Sequence, residues 1–233
     1  MLSSAFLTLA LATAAFSHPT KRQTGGVITS CTDDGPYIYS QNIVDMLDAK
    51  GVKGTFFVKQ RYRTQYSKGH QIASHTWAHK DLATLTTDQV RSSLIDNEFQ
   101  LTANTAALEK ILGVRVAFMR PPYGSYNDGV LQVAAAHNQS VIIWDFDSGD
   151  SVGEAPADSE KDYDTLVAKH PSTILTLNHE TVGDTTVLPH ALDDLLGAGY
   201  NLVTVAECLG LPPYLSVAAP GTQDISWTCS NTD

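Results

Sequence analysis

Five short stretches of this 233-residue chain carry side chains able to do chemistry at spacings that chemistry uses. Asp33 and Asp34 stand side by side ahead of Gly35-Pro36. Adjacent residues at a strand end point in different directions, so one carboxylate can bind a cation while the other faces a substrate as a base. The same residues also spell an ordinary turn. His75 and His79 are four positions apart, which on a helical turn brings both imidazoles to one face, as a metal site needs. The pair alone is a weak motif. Arg120 precedes Pro121-Pro122-Tyr123-Gly124, where two prolines restrict the backbone and hold the arginine and the Tyr123 amide in place. Asp145, Asp147 and Asp150 crowd one loop, where carboxylates repel unless cations or hydrogen bonds absorb the charge, or solvent does. His179 ends an apolar run at Leu175 and Leu177, a place where a lone histidine is more often structural than catalytic.

Those residues need a frame. Short β-rich runs alternate with helical spacing: strands near 27–32, 52–58, 114–119, 141–146, 173–177 and 201–205, and helices near 40–50, 86–112, 128–137, 162–169 and 188–198. The 141–146 run is apolar enough to be buried on both faces. Strands separated by helices pair in parallel, and about seven such units without a glycine-rich dinucleotide loop favour a closed or nearly closed α/β barrel. In barrels the chemistry gathers at the C-terminal ends of strands, where the five stretches fall. The tail 212–233 reads as a Pro/Gly/Ser-rich wrap over the surface.

The chain divides into a leader at 1–17, a short propeptide at 18–22 ending in Lys21-Arg22, a domain at 23–211 and the tail. The apolar run 5–16 is too short to span a bilayer and is followed by small residues suited to signal-peptide cleavage, so the mature chain is expected to be secreted. Net charge is −10, which disfavours nucleic acid and anionic membrane surfaces and is indifferent to a neutral polymer. Three cysteines, Cys31, Cys208 and Cys229, permit one disulfide; spacing leaves the pairing open, with Cys31 and Cys208 one candidate pair. Asn138-Gln139-Ser140 is a glycosylation sequon if it lies on a surface turn.

Taken in order, the five stretches resemble the polysaccharide deacetylase family, the carbohydrate esterases of the NodB homology domain. The family pattern runs T-F-D-D-G-P, H-[ST]-x-x-H, R-x-P-Y, D-x-x-D and L-x-H. Here it meets Thr32 to Pro36, His75/His79, Arg120 to Tyr123, Asp147 to Asp150, and Leu177 with His179, across about residues 27–210. The stretches 69–75 and 203–210 look most like secreted fungal chitin deacetylases. The resemblance implies a distorted (β/α)7 barrel and a divalent metal, usually zinc with cobalt as another candidate, held by Asp34, His75 and His79. It makes Asp33 the base toward metal-activated water and Arg120 its orienting partner. The oxyanion goes to the Tyr123 amide. His179 becomes the acid that protonates the leaving amine, held charged by Asp147, while Trp144 and Leu177 line the acetate pocket. The implied substrate is chitin or another acetylated polysaccharide, and the implied state a monomer.

Three departures stand out. Ser30-Cys31-Thr32 replaces the usual apolar lead-in, which points to a shortened first strand. The 57–69 stretch is about one helix shorter than the family's, a tight first crossover. Ser151 stands where an aromatic residue usually follows Asp150, opening one groove wall. Two other functions remain: an esterase acting on acetylated xylan, and a catalytically impaired homologue that only binds carbohydrate.

Overall fold

The computed structural model describes residues 27–29, 31–33, 38–59, 63–91, 101–181 and 184–222. The leader, the propeptide and Cys229 lie outside them. The chain runs β1 (Val27–Thr29), β2 (Cys31–Asp33), α1 (Ser40–Ala49), β3 (Thr55–Val58), α2 (Arg63–Ser67) and β4 (Gln71–Ser74). It continues through α3 (Thr87–Arg91), α4 (Leu101–Leu112), β5 (Val114–Val116), β6 (Phe118–Met119), α5 (Asp128–Ala136), β7 (Ser140–Val141) and β8 (Phe146–Asp147). It ends with α6 (Pro156–Lys169), β9 (Ile174–His179), α7 (Asp184–Gly197), β10 (Asn201–Leu202), α8 (Val205–Leu209) and β11 (Tyr214–Val217).

All pairings of the main sheet are parallel, as strands separated by helices require. β1 and β2 meet β9 in one unbroken register, Ile28 opposite Ile174 and Asp33 opposite His179, so they act as one strand. From β2 the ladder passes to β3, β4, β6 and β7. The segment from β7 to β8 then crosses over to β9, which leads back to β2 and closes the ring. The fold is α/β with a distorted barrel.

Several strand expectations need revision. The 114–119 run is two strands: β5 leaves the ring to pair antiparallel with β11, and the Ala117 N–H between them bonds Pro213 O at 3.2 Å. The 141–146 run is not one doubly buried strand either. Ile142 N bonds Met119 O on one neighbour and Asp145 N bonds Leu175 O on the other, so the segment changes partner midway and stays half exposed. The 201–205 strand stops at Leu202, because Thr204 caps α8 in a capping box with Glu207. The expected 86–112 helix appears as α3 and α4, and residues 92–100 lie outside the described ones. The tail contributes β11 and then backbone bonds from Ala218 N to Gly113 O and Gly221 N to Lys110 O. The first crossover is short, with α2 its only described helix.

Period-two alternation sorts the strands' side chains. Phe56, Val58, Ile72 and Ile174 join a core cluster with α1, α4, α6 and α7. Phe57, Ala73, Phe118 and Leu175 face the other way, into the barrel, and are closed from below by Val205 and Ala206 of α8. Burying large apolar side chains on both faces stabilises the ring; truncating Phe57 would cost about 3–5 kcal/mol. Among the described residues no helix is long and apolar enough to cross a membrane.

Candidate active site

Above the Phe57 layer the barrel interior turns polar. Arg120, fully buried, places its guanidinium 4.4 Å from the Phe57 ring centroid and 5.5 Å from that of Trp144. Its Nη1 donates to Asp33 Oδ1 at 3.2 Å, and Asp33 is only 2% exposed. A buried carboxylate is tolerated only when paired, and here the cation sits on an aromatic floor that fixes its plane. Arg120 is fixed by its backbone as well: its N–H donates to Ser74 O at 2.9 Å and its carbonyl accepts from His75 Nδ1 at 2.8 Å.

That carbonyl assigns the tautomer of His75. A carbonyl only accepts, so Nδ1 carries the proton and a neutral ring keeps its lone pair on Nε2. Nε2 lies 3.9 Å from Asp33 Oδ2. The His79 ring stands with its centroid 4.9 Å from that of His75 and 4.8 Å from that of Tyr123. The two imidazoles do meet, but not on a helical turn. β4 ends at Ser74, and the following loop uses left-handed backbone at Thr76 (φ 67°) and His79 (φ 51°). A β-branched residue there costs energy, and Thr76 is held by complete burial. An imidazole whose Nδ1–H is anchored to a carbonyl, beside a second imidazole and a carboxylate, fits a divalent cation by its donor chemistry. Asp34, the third expected ligand, lies outside the described residues.

Tyr123 occupies a short turn, Pro122–Gly124, at φ 59° and ψ 10°. The prolines set this turn, and among the described residues the Tyr123 N–H has no acceptor, whereas Gly124 and Ser125 donate to Pro121 O and Pro122 O. The Tyr123 ring is 68% exposed. Trp144 packs on Gly124, where an added Cβ would come within 2.9 Å of the indole. Leu177 is buried and shares the interior face of β9 with Leu175 and His179.

His179 stands opposite Asp33 in the ladder, and its carboxylate partner is Asp150, not Asp147. Asp150 Oδ1 accepts from His179 Nδ1 at 2.8 Å and Oδ2 from the His179 backbone N–H at 2.6 Å. Nδ1 therefore carries the proton and Nε2 faces away from Asp150. Asp147 instead accepts from Gly149 N at 2.9 Å, an Asx turn that with Gly149 at φ 73° swings Asp150 back over β9. Asp145 accepts from Leu175 N at 2.6 Å.

Another set of candidate ligands is Asp164, His190 and Asp194, on helices α6 and α7 away from the strand ends. His190 Nε2 lies 2.8 Å from Asp164 Oδ1 and 3.2 Å from Asp194 Oδ2, and the bond to Asp164 raises its pKa. A ring that donates through Nε2 offers no lone pair there, so this group is an ion-paired clamp between helices. Asn138 is exposed in a left-handed turn after α5, as a sequon requires. Cys208 is buried in α8, and the Cys31 side chain lies outside the described ones.

Residues 20–142 match the polysaccharide deacetylase family. The chain is 32% identical to a chitin deacetylase from Pestalotiopsis sp, over 90% of this chain and 77% of that one. It is 35% identical to a probable peptidoglycan-N-acetylglucosamine deacetylase from Arthroderma benhamiae, over 81% of this chain but only 47% of that longer one. The structure of the chitin deacetylase from Colletotrichum lindemuthianum superposes with a TM-score of 0.72 at 25% identity, covering 82% of this chain and 91% of the other.

Proposed function

We propose, from the premise that this chain belongs to the polysaccharide deacetylase family, that it hydrolyses the acetamide groups of chitin or a related N-acetylglucosamine polymer. One observation carries the reading: a buried carboxylate, Asp33, lies between a fixed arginine and a tautomer-locked imidazole, in register with a second histidine held by its own carboxylate.

In this reading Asp34, His75 and His79 would hold a divalent cation, with zinc suiting two imidazoles and one carboxylate. Bound there, it would supply Lewis acidity at the amide oxygen and lower the pKa of water. The chain's own groups do the rest. Asp33, oriented by Arg120, takes the proton from the attacking water. The Tyr123 N–H donates to the oxygen that becomes negative as the acetyl carbon turns tetrahedral. His179, with its Nδ1–H held on Asp150 and a second proton on Nε2, gives that Nε2 proton to the departing nitrogen. The C–N bond breaks, leaving acetate and a free amine. Leu177 and Trp144 bound the space for the acetyl methyl.

The test is acetate release from a chitin oligomer with added zinc, after chelation, and by Asp33→Asn. Release that needs metal and disappears in Asp33→Asn supports the assignment; a folded, metal-loaded protein that releases nothing sinks it. A second reading has one observation in its favour, 29% identity to a bifunctional xylanase/deacetylase from Pseudobutyrivibrio xylanivorans. Faster release from acetylated xylan than from chitin oligomers would establish it. Export is also part of the proposal, and amino-terminal sequencing of the mature protein would find a start after Ser17 or at Gln23.

A further inference from the structure

We infer that Glu180 is a positioning residue whose bond to the Ser40 hydroxyl ties the turn after His179 to the start of α1. The inference rests on the deacetylase reading above. Glu180 is 5% exposed and Ser40 8%, and Ser40 Oγ donates to Glu180 Oε2. A carboxylate taken out of water needs partners, and α1 has a use for one. Its N-cap, Tyr39, makes no side-chain cap bond, and its first turn contains no acidic residue. The positive end of the dipole of a ten-residue helix favours an anion there, and Glu180 supplies it from the turn after β9.

What this bond spans matters more than the bond itself. Asp33 ends β2 and His179 ends β9, directly opposite in the ladder. In sequence, β2 ends at Asp33 and α1 begins at Ser40, while Glu180 directly follows β9. The ladder fixes Asp33 against β9, and Ser40–Glu180 fixes the start of α1 against the same strand end. On its opposite flank the turn is held by Asp150, through the His179 N–H and Nδ1, with Thr181 Oγ1 3.4 Å from Asp150 Oδ2 and Thr181 N 2.8 Å from His179 O. Glu180 lies in the turn just beyond β9 with its carboxylate on the Ser40 hydroxyl, and it acts on the site through its neighbours. Base-bearing and acid-bearing strand ends are thereby clamped on both sides.

The experiment compares kcat, KM and thermal unfolding for the full chain, Glu180→Ala, Glu180→Gln, Ser40→Ala and the Ser40→Ala/Glu180→Ala double variant, on a chitin oligomer. Glu180→Ala and Ser40→Ala should each lower kcat about tenfold or more with KM within about twofold, the pattern of lost alignment. Glu180→Gln keeps an acceptor for the Ser40 hydroxyl and should restore kcat to within about threefold, and the double variant should be no slower than Glu180→Ala. Folded single variants with wild-type kcat, even at a lowered Tm, would overturn the inference and leave the deacetylase reading standing. If Glu180→Ala fails to fold, Ser40→Ala decides alone by the same criterion. A wild-type protein that releases no acetate overturns the functional reading, and this one with it.

Discussion

Asp147 and Asp150 share one loop, yet only Asp150 reaches His179, because the backbone reverses at Gly149 between them. Sequence order places both acids near the histidine, but which side chain turns inward depends on a left-handed residue that spacing does not reveal. The same limit applies to His75 and His79, whose approach comes from left-handed backbone at Thr76 and His79. The five motifs are legible as types and order; the hydrogen bonds that assign tautomers, His75 to Arg120 O and His179 to Asp150, are not. The distinction is measurable. Asp150→Asn should lower kcat on a chitin oligomer by about 10²-fold or more, since an amide can present a donor to Nδ1 and disturb the tautomer. Asp147→Asn should stay within about threefold, because an asparagine oxygen can still accept from Gly149 N. Equal losses would remove the case for Asp150.

Elements that stand on long apolar periodicity are legible: α1, α5, α6 and α7 begin and end within a few residues of expectation, apart from nearly two extra turns at the start of α6 and one at the start of α7. Strand limits are not, because a run such as 114–119 keeps one composition while its backbone partners change from the tail to the barrel. The prolines and glycines of the tail predict a surface wrap, and its composition hides the strand β11. The contact that makes the wrap structural is at Gly113, with φ 75°, where an added Cβ would lie 2.2 Å from Ala218 O. Gly113→Ala must therefore strain the backbone and push the strap off the end of α4. Urea unfolding should show a loss of about 2–3 kcal/mol and thermal unfolding a fall of several degrees. Below that temperature kcat should be close to wild type, since the strap crosses α4 and β5 and not the strand ends that carry the site. An unchanged urea midpoint would show that the strap does not hold the fold.

One strand, β4, links the site to the stability of the whole molecule. His75 follows its C-terminal end, and His70 precedes its N-terminal end, buried with its edge against Phe56. Gly54 N donates to His70 Nδ1 at 3.2 Å, so this ring nitrogen must keep its lone pair and the ring is held neutral. Burial first, then the nearby Lys53 charge, pushes its pKa from 6.5 down to about 4, with Asp48, 3.4 Å from Nε2, opposing. The unfolded chain takes up this proton below pH 6.5 and the folded protein only near 4. His70 therefore contributes stability that is complete above pH 6.5 and is lost as the pH falls to about 4. The loss amounts to at most about 3 kcal/mol, a large share of a typical domain's margin. His190 works in the opposite direction: its pKa is raised by Asp164, so its small surface contribution is present at low pH and fades as the pH rises through the folded value. Urea unfolding of wild type and His70→Gln from pH 4 to 8 separates the two. The stability difference between the proteins should be constant above neutrality and shrink steadily toward pH 4, because only the wild type has a proton to bind there. A difference that stays flat across the range would mean that His70 takes up its proton as readily in the folded barrel as in the unfolded chain, and that acid sensitivity must come from the carboxylates around the site.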